Sequence, residues 1–293
     1  MSPHVVTPLP FPSNLLGEGA IWHARAARLL WVDIAGHSVH GYEPATGRTL
    51  TALVGESAGT VVPTRRREVL VALQRGFAFL DLARARLTPF PVEPLLPATH
   101  RFNDGKCDSA GRLWVGAMSP AAEPAVGALW CLHPELRAES RRTGLTIPNG
   151  IAWSRDGRTL YHIDSPTRRV EAFDFDPFGG GIAHPRLLRE FTAADGYPDG
   201  MTLDSEGQLW VALWDGWRVV RIDTASGATL AEITLPVQRP TSCAFGGPAL
   251  DTLYITSARI DLAEAQLARQ PLAGAVFASQ PGVVGLPANE FAG

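Results

Sequence analysis

Lysine is almost absent. Of the 26 lysine and arginine residues only Lys106 is a lysine. The basic residues form no block, the net charge is −3 and the pI is about 6.2. Nucleic-acid binding and docking on anionic membranes are therefore disfavoured. Cysteine is scarce as well: Cys107, Cys131 and Cys243 are odd in number and no pair has metal-ligand spacing. That excludes a disulfide framework and a zinc knuckle, and reduced thiols suit a cytoplasmic chain. No segment reaches the roughly 20 uninterrupted apolar residues of a membrane helix. The opening MSPHVVTPLPFPSN lacks the cationic start and apolar run of a secretory signal. Also missing are a G-x-S-x-G elbow, an H-E-x-x-H pair and a G-x-G-x-x-G turn between strand and helix. Their absence counts against an α/β serine hydrolase, a zincin and a dinucleotide-binding fold.

What is present is a core-forming composition, 45% hydrophobic, with 29 glycines and 24 prolines spread along the chain. One segment type recurs: a short apolar strand, a turn rich in Asp and Gly, then a strand of Leu, aromatic and Val. Clear copies are DGKCDSAGRLWVGAMS, NGIAWSRDGRTLYHIDS and DGMTLDSEGQLWVALWDG, with others at EGAIWHARAARLLWVDI and TSCAFGGPALDTLYITSA and a degenerate one at GTVVPTRRREVLVAL. Aligning the second strands on Trp31, Leu70, Trp114, Tyr161, Trp210 and Tyr254 gives a mean period of about 45 residues, that of a four-stranded propeller blade. Pieces such as VHGYEPATGRTLTAL, RVEAFDFDPFGGGI and RVVRIDTASGATLAEITL supply the outer strands of the blades. The only helical composition is near DLAEAQLARQ. The expectation is an all-β chain, one six-bladed β-propeller domain over 1–293 with four-stranded antiparallel blades. The strand around His4–Leu9 should complete the blade containing Gly274–Gly285, because an open ring leaves a free sheet edge. The aligned aromatics are core residues packing blade on blade.

In such a ring the first strand of each blade lines the central channel. Its opening residue, just before a glycine, is Glu18, Asp104, Asn149 or Asp199 in four of the six repeats. Any one of these is an ordinary turn signal. As a set they lie at the strand end where no hairpin is needed, and the glycine permits a positive φ or a close backbone approach. Carboxylate and amide oxygens suit a hard divalent cation, and Glu18, Asn149 and Asp199 would balance its charge while leaving positions open. Arg101 and Asn103 share one face of an extended strand in RFNDGK and can bind a polar ligand. Asn103 and Asp104 both fit the repeat register.

LGEGAIW, RFNDGKCDSAGRLWVGAM, IPNGIAWSRDGRTLYHIDS, YPDGMTLDSEGQLWVALWDG and RPTSCAFGG resemble, in order and spacing from about Leu16 onward, the gluconolactonase family that includes regucalcin (senescence marker protein) and luciferin-regenerating enzyme. The resemblance implies a six-bladed propeller with one divalent metal (Ca, Zn, Mg or Mn) on Glu18, Asn149 and Asp199. It implies substrate contacts from Arg101 and Asn103, Asp199 as acid/base, and hydrolysis of a sugar lactone, gluconolactone or a pentonolactone, to the aldonic acid. The alternative it carries is a non-catalytic calcium-binding regulator of the regucalcin kind. The segment after Met118, SPAAEPAVGALW, is shorter than the lid-like loop of the animal members, and Glu123 within it receives no role. No nucleic acid or membrane partner is expected; the sugar, the metal and the oligomeric state are left open.

Overall fold

The computed structural model describes residues 4–74, 76–93 and 96–293. Its strands form six four-stranded antiparallel sheets, a six-bladed β-propeller. Blade 1 comprises Gly17–His23, Arg28–Asp33, Ser38–Glu43 and Arg48–Leu53. The inner strands of blades 2 to 6 are Ala58–Val62, Arg101–Cys107, Pro148–Trp153, Tyr197–Leu203 and Pro240–Gly246. Blade 6 is completed from the other end of the chain. Val6–Pro8 pairs with Phe277–Ser279, Val6 opposite Ser279, so the ring closes as the sequence suggested. The three predicted outer-strand pairs fall where expected, and Gly179–Gly181 lies in the turn inside one of them, between Arg169–Phe175 and Ile182–Glu190. Glu264–Arg269, within the stretch of helical composition, is the one α-helix among the described residues. Among the described residues no helix is long and apolar enough to cross a membrane. The three cysteines are buried and free.

The repeat works because its Asp residues satisfy backbone donors that a tight ring would otherwise strand. In blades 3 and 5 the turn aspartate does two jobs. Asp108 accepts from the amides of Ala110 and Arg112 and from Trp114 Nε1 at 2.8 Å. Asp204 accepts from Glu206, Gln208 and Trp210 Nε1 in the same way. The hairpin is thereby fastened to the aromatic core between blades. Trp114, Trp210 and Tyr254 are fully buried there, and truncating such a Trp to Ala costs about 3–5 kcal/mol. At the other end of the second strand Asp33 accepts from Leu15, Leu16 and Gly36, and Asp164 from Thr146 and Ile147. These bonds pin each incoming crossover beside the channel.

The ladder corrects one element of the sequence alignment. Ala152 faces Tyr161, Lys106 faces Trp114 and Thr202 faces Trp210, whereas Ile21 faces Leu30. Leu30, not Trp31, is thus the counterpart of the other aromatics. Trp31 points to the opposite side of its strand, 4.8 Å from the Phe11 ring, with Nε1 bonded to Asn14. Aromatic identity had pulled the alignment one residue off the pleat.

Candidate functional site

The same ladder fixes which residues stand at equivalent places around the channel. In blades 3, 4, 5 and 6 the pairing jumps between Phe102 and Gly105, Pro148 and Ile151, Pro198 and Met201, and Pro240 and Cys243. Each inner strand bulges there, and a bulge re-aims the side chain it carries. Counting from the facing residue of the second strand, the equivalent positions are Glu18, Gly59, Asn103, Asn149, Asp199 and Thr241. The register left open between Asn103 and Asp104 is resolved to Asn103. Gly59 is the position without a side chain, since a Cβ there would lie 2.4 Å from the carbonyl of Phe102. Both roles expected of the glycine that follows occur: Gly19 has φ +61°, and a Cβ on Gly150 would meet the Asp199 carbonyl at 2.4 Å.

A chain of hydrogen bonds runs round this rim. Arg101 Nη1 donates to Asn103 Oδ1 at 2.7 Å and to the Phe102 carbonyl at 3.0 Å. Asn103 Nδ2 donates to the Pro148 carbonyl at 3.0 Å and to Asn149 Oδ1 at 3.1 Å. Asn149 Nδ2 donates to Ser165 Oγ at 3.0 Å, and Ser165 Oγ donates to the Pro198 carbonyl at 2.7 Å, one residue before Asp199. Blades 3, 4 and 5 are thus tied together at the site. Across the closing seam Thr241 Oγ1 donates to the Gly17 carbonyl beside Glu18.

The carboxylates are poorly compensated. Glu18, Asp104 and Asp199 are all buried. Glu18 Oε2 accepts from its neighbour Gly19 at 3.2 Å, while Asp199 Oδ1 and Asp104 Oδ2 are buried with no partner. Burial, then the charge of Asp104, pushes the Glu18 carboxyl up to about 8. Burial, then the charges of Glu18 and Asp104, raises Asp199 well above the usual carboxylate range. Burial also raises Asp104, against the pull of Lys106. Arg101 is the cation facing Glu18 and Asp199, and burial lowers its own pKa. Among the described residues Arg101 Nε and Nη2 make no hydrogen bond, so they are free for a ligand. Buried carboxylates with orphaned oxygens require a proton or a cation. Among the described residues no group of three or more His, Cys, Asp and Glu is arranged for a metal. The set here has two carboxylates, Glu18 on blade 1 and Asp199 on blade 5, with the amide oxygen of Asn149 on blade 4, an all-oxygen set that fits a hard divalent ion.

All five sequence-singled residues therefore lie at one end of the channel. Glu123 is exposed in the loop after Met118 and forms no hydrogen bond or ion pair among the described residues. Ser165 escaped the sequence reading; its signal was the last letter of LYHIDS, where a serine follows the crossover-pinning Asp164. A 280 Å³ cavity lies elsewhere, at the far end of the channel, and none of the five lines it. The orphaned carboxylate oxygens and the unbonded guanidinium donors belong to the rim and not to that cavity.

A closed six-bladed ring with carboxylate and amide oxygens and one arginine at its mouth defines a propeller with a small polar axial site. A family model described as SMP-30/Gluconolactonase/LRE-like region matches residues 16–259. The chain belongs to that family. It is 39% identical over 283 residues to regucalcin of Danio rerio, covering 96% of each chain. It is 34% identical to the Bacillus subtilis protein named "Putative sugar lactone lactonase YvrE", covering 95% of this chain and 96% of that one. A solved luciferin-regenerating enzyme superposes with a TM-score of 0.92 at 33% identity, covering 99% of each chain. The regucalcin of Agrobacterium tumefaciens strain C58, described as a calcium-binding protein, superposes at 0.93 with 27% identity, covering 99% of this chain and 98% of that one.

Proposed function

We propose that residues 1–293 act as one propeller domain that hydrolyses a sugar lactone to its aldonic acid, with Glu18, Asn149 and Asp199 holding one divalent cation. The observation that carries this reading is the buried, unpartnered Asp199 Oδ1 beside Glu18, facing the free donors of Arg101. A divalent ion held there would polarise the lactone carbonyl and acidify a water. Asp199 takes the proton of the attacking water as general base. Arg101, through Nε and Nη2, and Asn103 orient the substrate oxygens and share the charge that develops on the carbonyl oxygen. The C–O bond of the ring then breaks, and the proton held on Asp199 passes to the departing ring oxygen, which becomes a hydroxyl. Water is consumed and no covalent intermediate on the protein is needed.

Family membership and the relative named for a lactonase support this class, and the regucalcin relatives keep a second reading in view, a calcium-binding regulator without turnover. Arg101 favours catalysis, since a site that only holds a cation has no use for a half-buried guanidinium next to it. The test is a panel of aldonolactones assayed with Ca²⁺, Zn²⁺, Mg²⁺ and Mn²⁺ after chelation. Turnover lost on chelation and restored by a divalent ion is expected, with the β-sheet circular dichroism preserved because blade packing holds the ring. Full activity in verified metal-free protein would overturn the cation; calcium binding without turnover of any lactone would favour the regulator.

A further inference from the structure

The only lysine crosses the channel. Lys106 lies on the inner strand of blade 3, and its Nζ donates to the carbonyl of Met201 on the inner strand of blade 5. Its side chain therefore spans past blade 4 and separates the rim site from the 280 Å³ cavity beyond. The cavity is lined by the second halves of the inner strands, including Trp22, Trp153, Leu203 and Phe245, and by the C-terminal residues 286–289. That tail straps the far end of the ring. Gly285 N donates to Leu250, Asn289 Nδ2 to Cys107, Phe291 N to Pro63 and Ala292 N to Gly111, at 2.7–3.2 Å.

Two cations on the cavity wall form no ion pair within 4.0 Å among the described residues, although Asp104 pulls on Lys106 from further off. Among the described residues the Lys106 ammonium has Met201 as its one hydrogen-bond acceptor and no carboxylate within 4.0 Å, which leaves two N–H groups unused. Arg155 is exposed at the wall and forms no hydrogen bond or ion pair among the described residues. The one carboxylate on the wall, Asp156, is engaged by Ser154 Oγ and the Arg158 amide. Burial lowers the Lys106 pKa while Asp104 acts to raise it, consistent with a cation short of solvation. A buried ammonium is normally paired or fully hydrogen-bonded. Positive charge excludes a metal ion here, and the aromatic and aliphatic walls favour an anion with an organic body over an inorganic one.

We propose that this far cavity is a second binding site, for a small organic carboxylate whose oxygens take the two unused N–H groups of Lys106 and whose approach is drawn by Arg155. The site is independent of lactone turnover at the rim. Because the chain has a single lysine, protein grown on 13Cε-lysine reports on Lys106 through one side-chain resonance. Titration with sodium propionate and sodium benzoate, at constant ionic strength, should shift that resonance saturably, and inorganic phosphate should not. Arg155→Ala, remote from the rim and neutral for lactone turnover, should weaken both carboxylates about three- to tenfold. Lys106→Met, checked for folding by circular dichroism, should abolish the calorimetric heat of benzoate binding. The response should persist in Asp199→Asn. No saturable shift, equal affinity in Arg155→Ala, an equal response to phosphate, or loss of the response in Asp199→Asn (which would put the carboxylate at the rim) would each overturn the proposal.

Discussion

Asn149 is held from both sides: Ser165 Oγ accepts its Nδ2 at 3.0 Å, and Asn103 Nδ2 bonds its Oδ1 at 3.1 Å. The amide cannot turn over without losing both bonds, so its oxygen keeps its place at the rim. Ser165 then passes the constraint on to the Pro198 carbonyl, next to Asp199. Removing the hydroxyl by Ser165→Ala should loosen two candidate ligands at once. Groups that orient ligands in this way commonly contribute 10- to 100-fold in metal affinity or activity. We expect about a tenfold weaker cation dependence of kcat/KM, with a global stability loss of about 1–2 kcal/mol. A cation titration of activity, beside a denaturant melt, separates the two; a stability loss without any change in cation dependence would make Ser165 purely a fold residue.

Asp199 is proposed both as ligand and as base, and these roles come apart in Asp199→Asn. The amide keeps an oxygen for the cation but has neither charge nor basicity. At saturating cation kcat should remain about 10²- to 10⁴-fold below wild type. If excess cation restores the rate, Asp199 is a ligand only.

The carboxyl pair gives a pH dependence with a definite sign. Glu18 moves from 4.5 to about 8 in the folded, cation-free protein, and Asp199 moves in the same direction. Over that interval the folded state holds protons that the unfolded chain has released. Its stability therefore falls as pH rises from 4.5 through about 8. A divalent cation takes the place of those protons, so the gain in Tm on adding cation should widen over the same window. Thermal melts with calcium and with chelator at about pH 5 and about pH 8 test this. A gain that is flat or shrinks with pH would show that the two carboxyls do not share an ion.

The fold was legible because the propeller writes itself as a period: Asp-Gly turns such as those at Asp108 and Asp204, and alternating strands, recur in the sequence and need only local chemistry to be read. Ring closure was readable because Val6–Pro8 had to satisfy an edge left open by blade 6. The register was harder. An alignment by residue type slips by one where the matching letter sits next to the equivalent position, as with the aromatic ring of Trp31 beside Leu30 and the Asp-Gly pair at Asp104 beside Asn103. The five rim residues came from position and chemistry together, but the bonds of Ser165 and the reach of Lys106 to Met201 depend on which strands face one another across the channel. A contact between residues 106 and 201 leaves no trace in local sequence.

Substrate class is the last point open to test. Arg101 spends Nη1 on Asn103 Oδ1 and the Phe102 carbonyl and keeps Nε and Nη2 free. Half-buried donors of this kind, once a substrate covers them, penalise one that leaves them unpaired, which favours polyhydroxylated lactones over plain γ- or δ-alkyl lactones. Arg101→Ala should erode that preference while cation dependence persists, since Arg101 is not among the oxygen ligands. The loss of one charged hydrogen bond is worth about 1.5–3 kcal/mol, or roughly 10- to 150-fold in kcat/KM. The comparison is wild type against Arg101→Ala on gluconolactone and on an unsubstituted δ-lactone. A large loss on gluconolactone with a small one on the δ-lactone is expected. Equal losses on both would mean that Arg101 serves the carbonyl rather than the hydroxyls, and a wild type that prefers the unsubstituted ring would remove the sugar-lactone assignment itself.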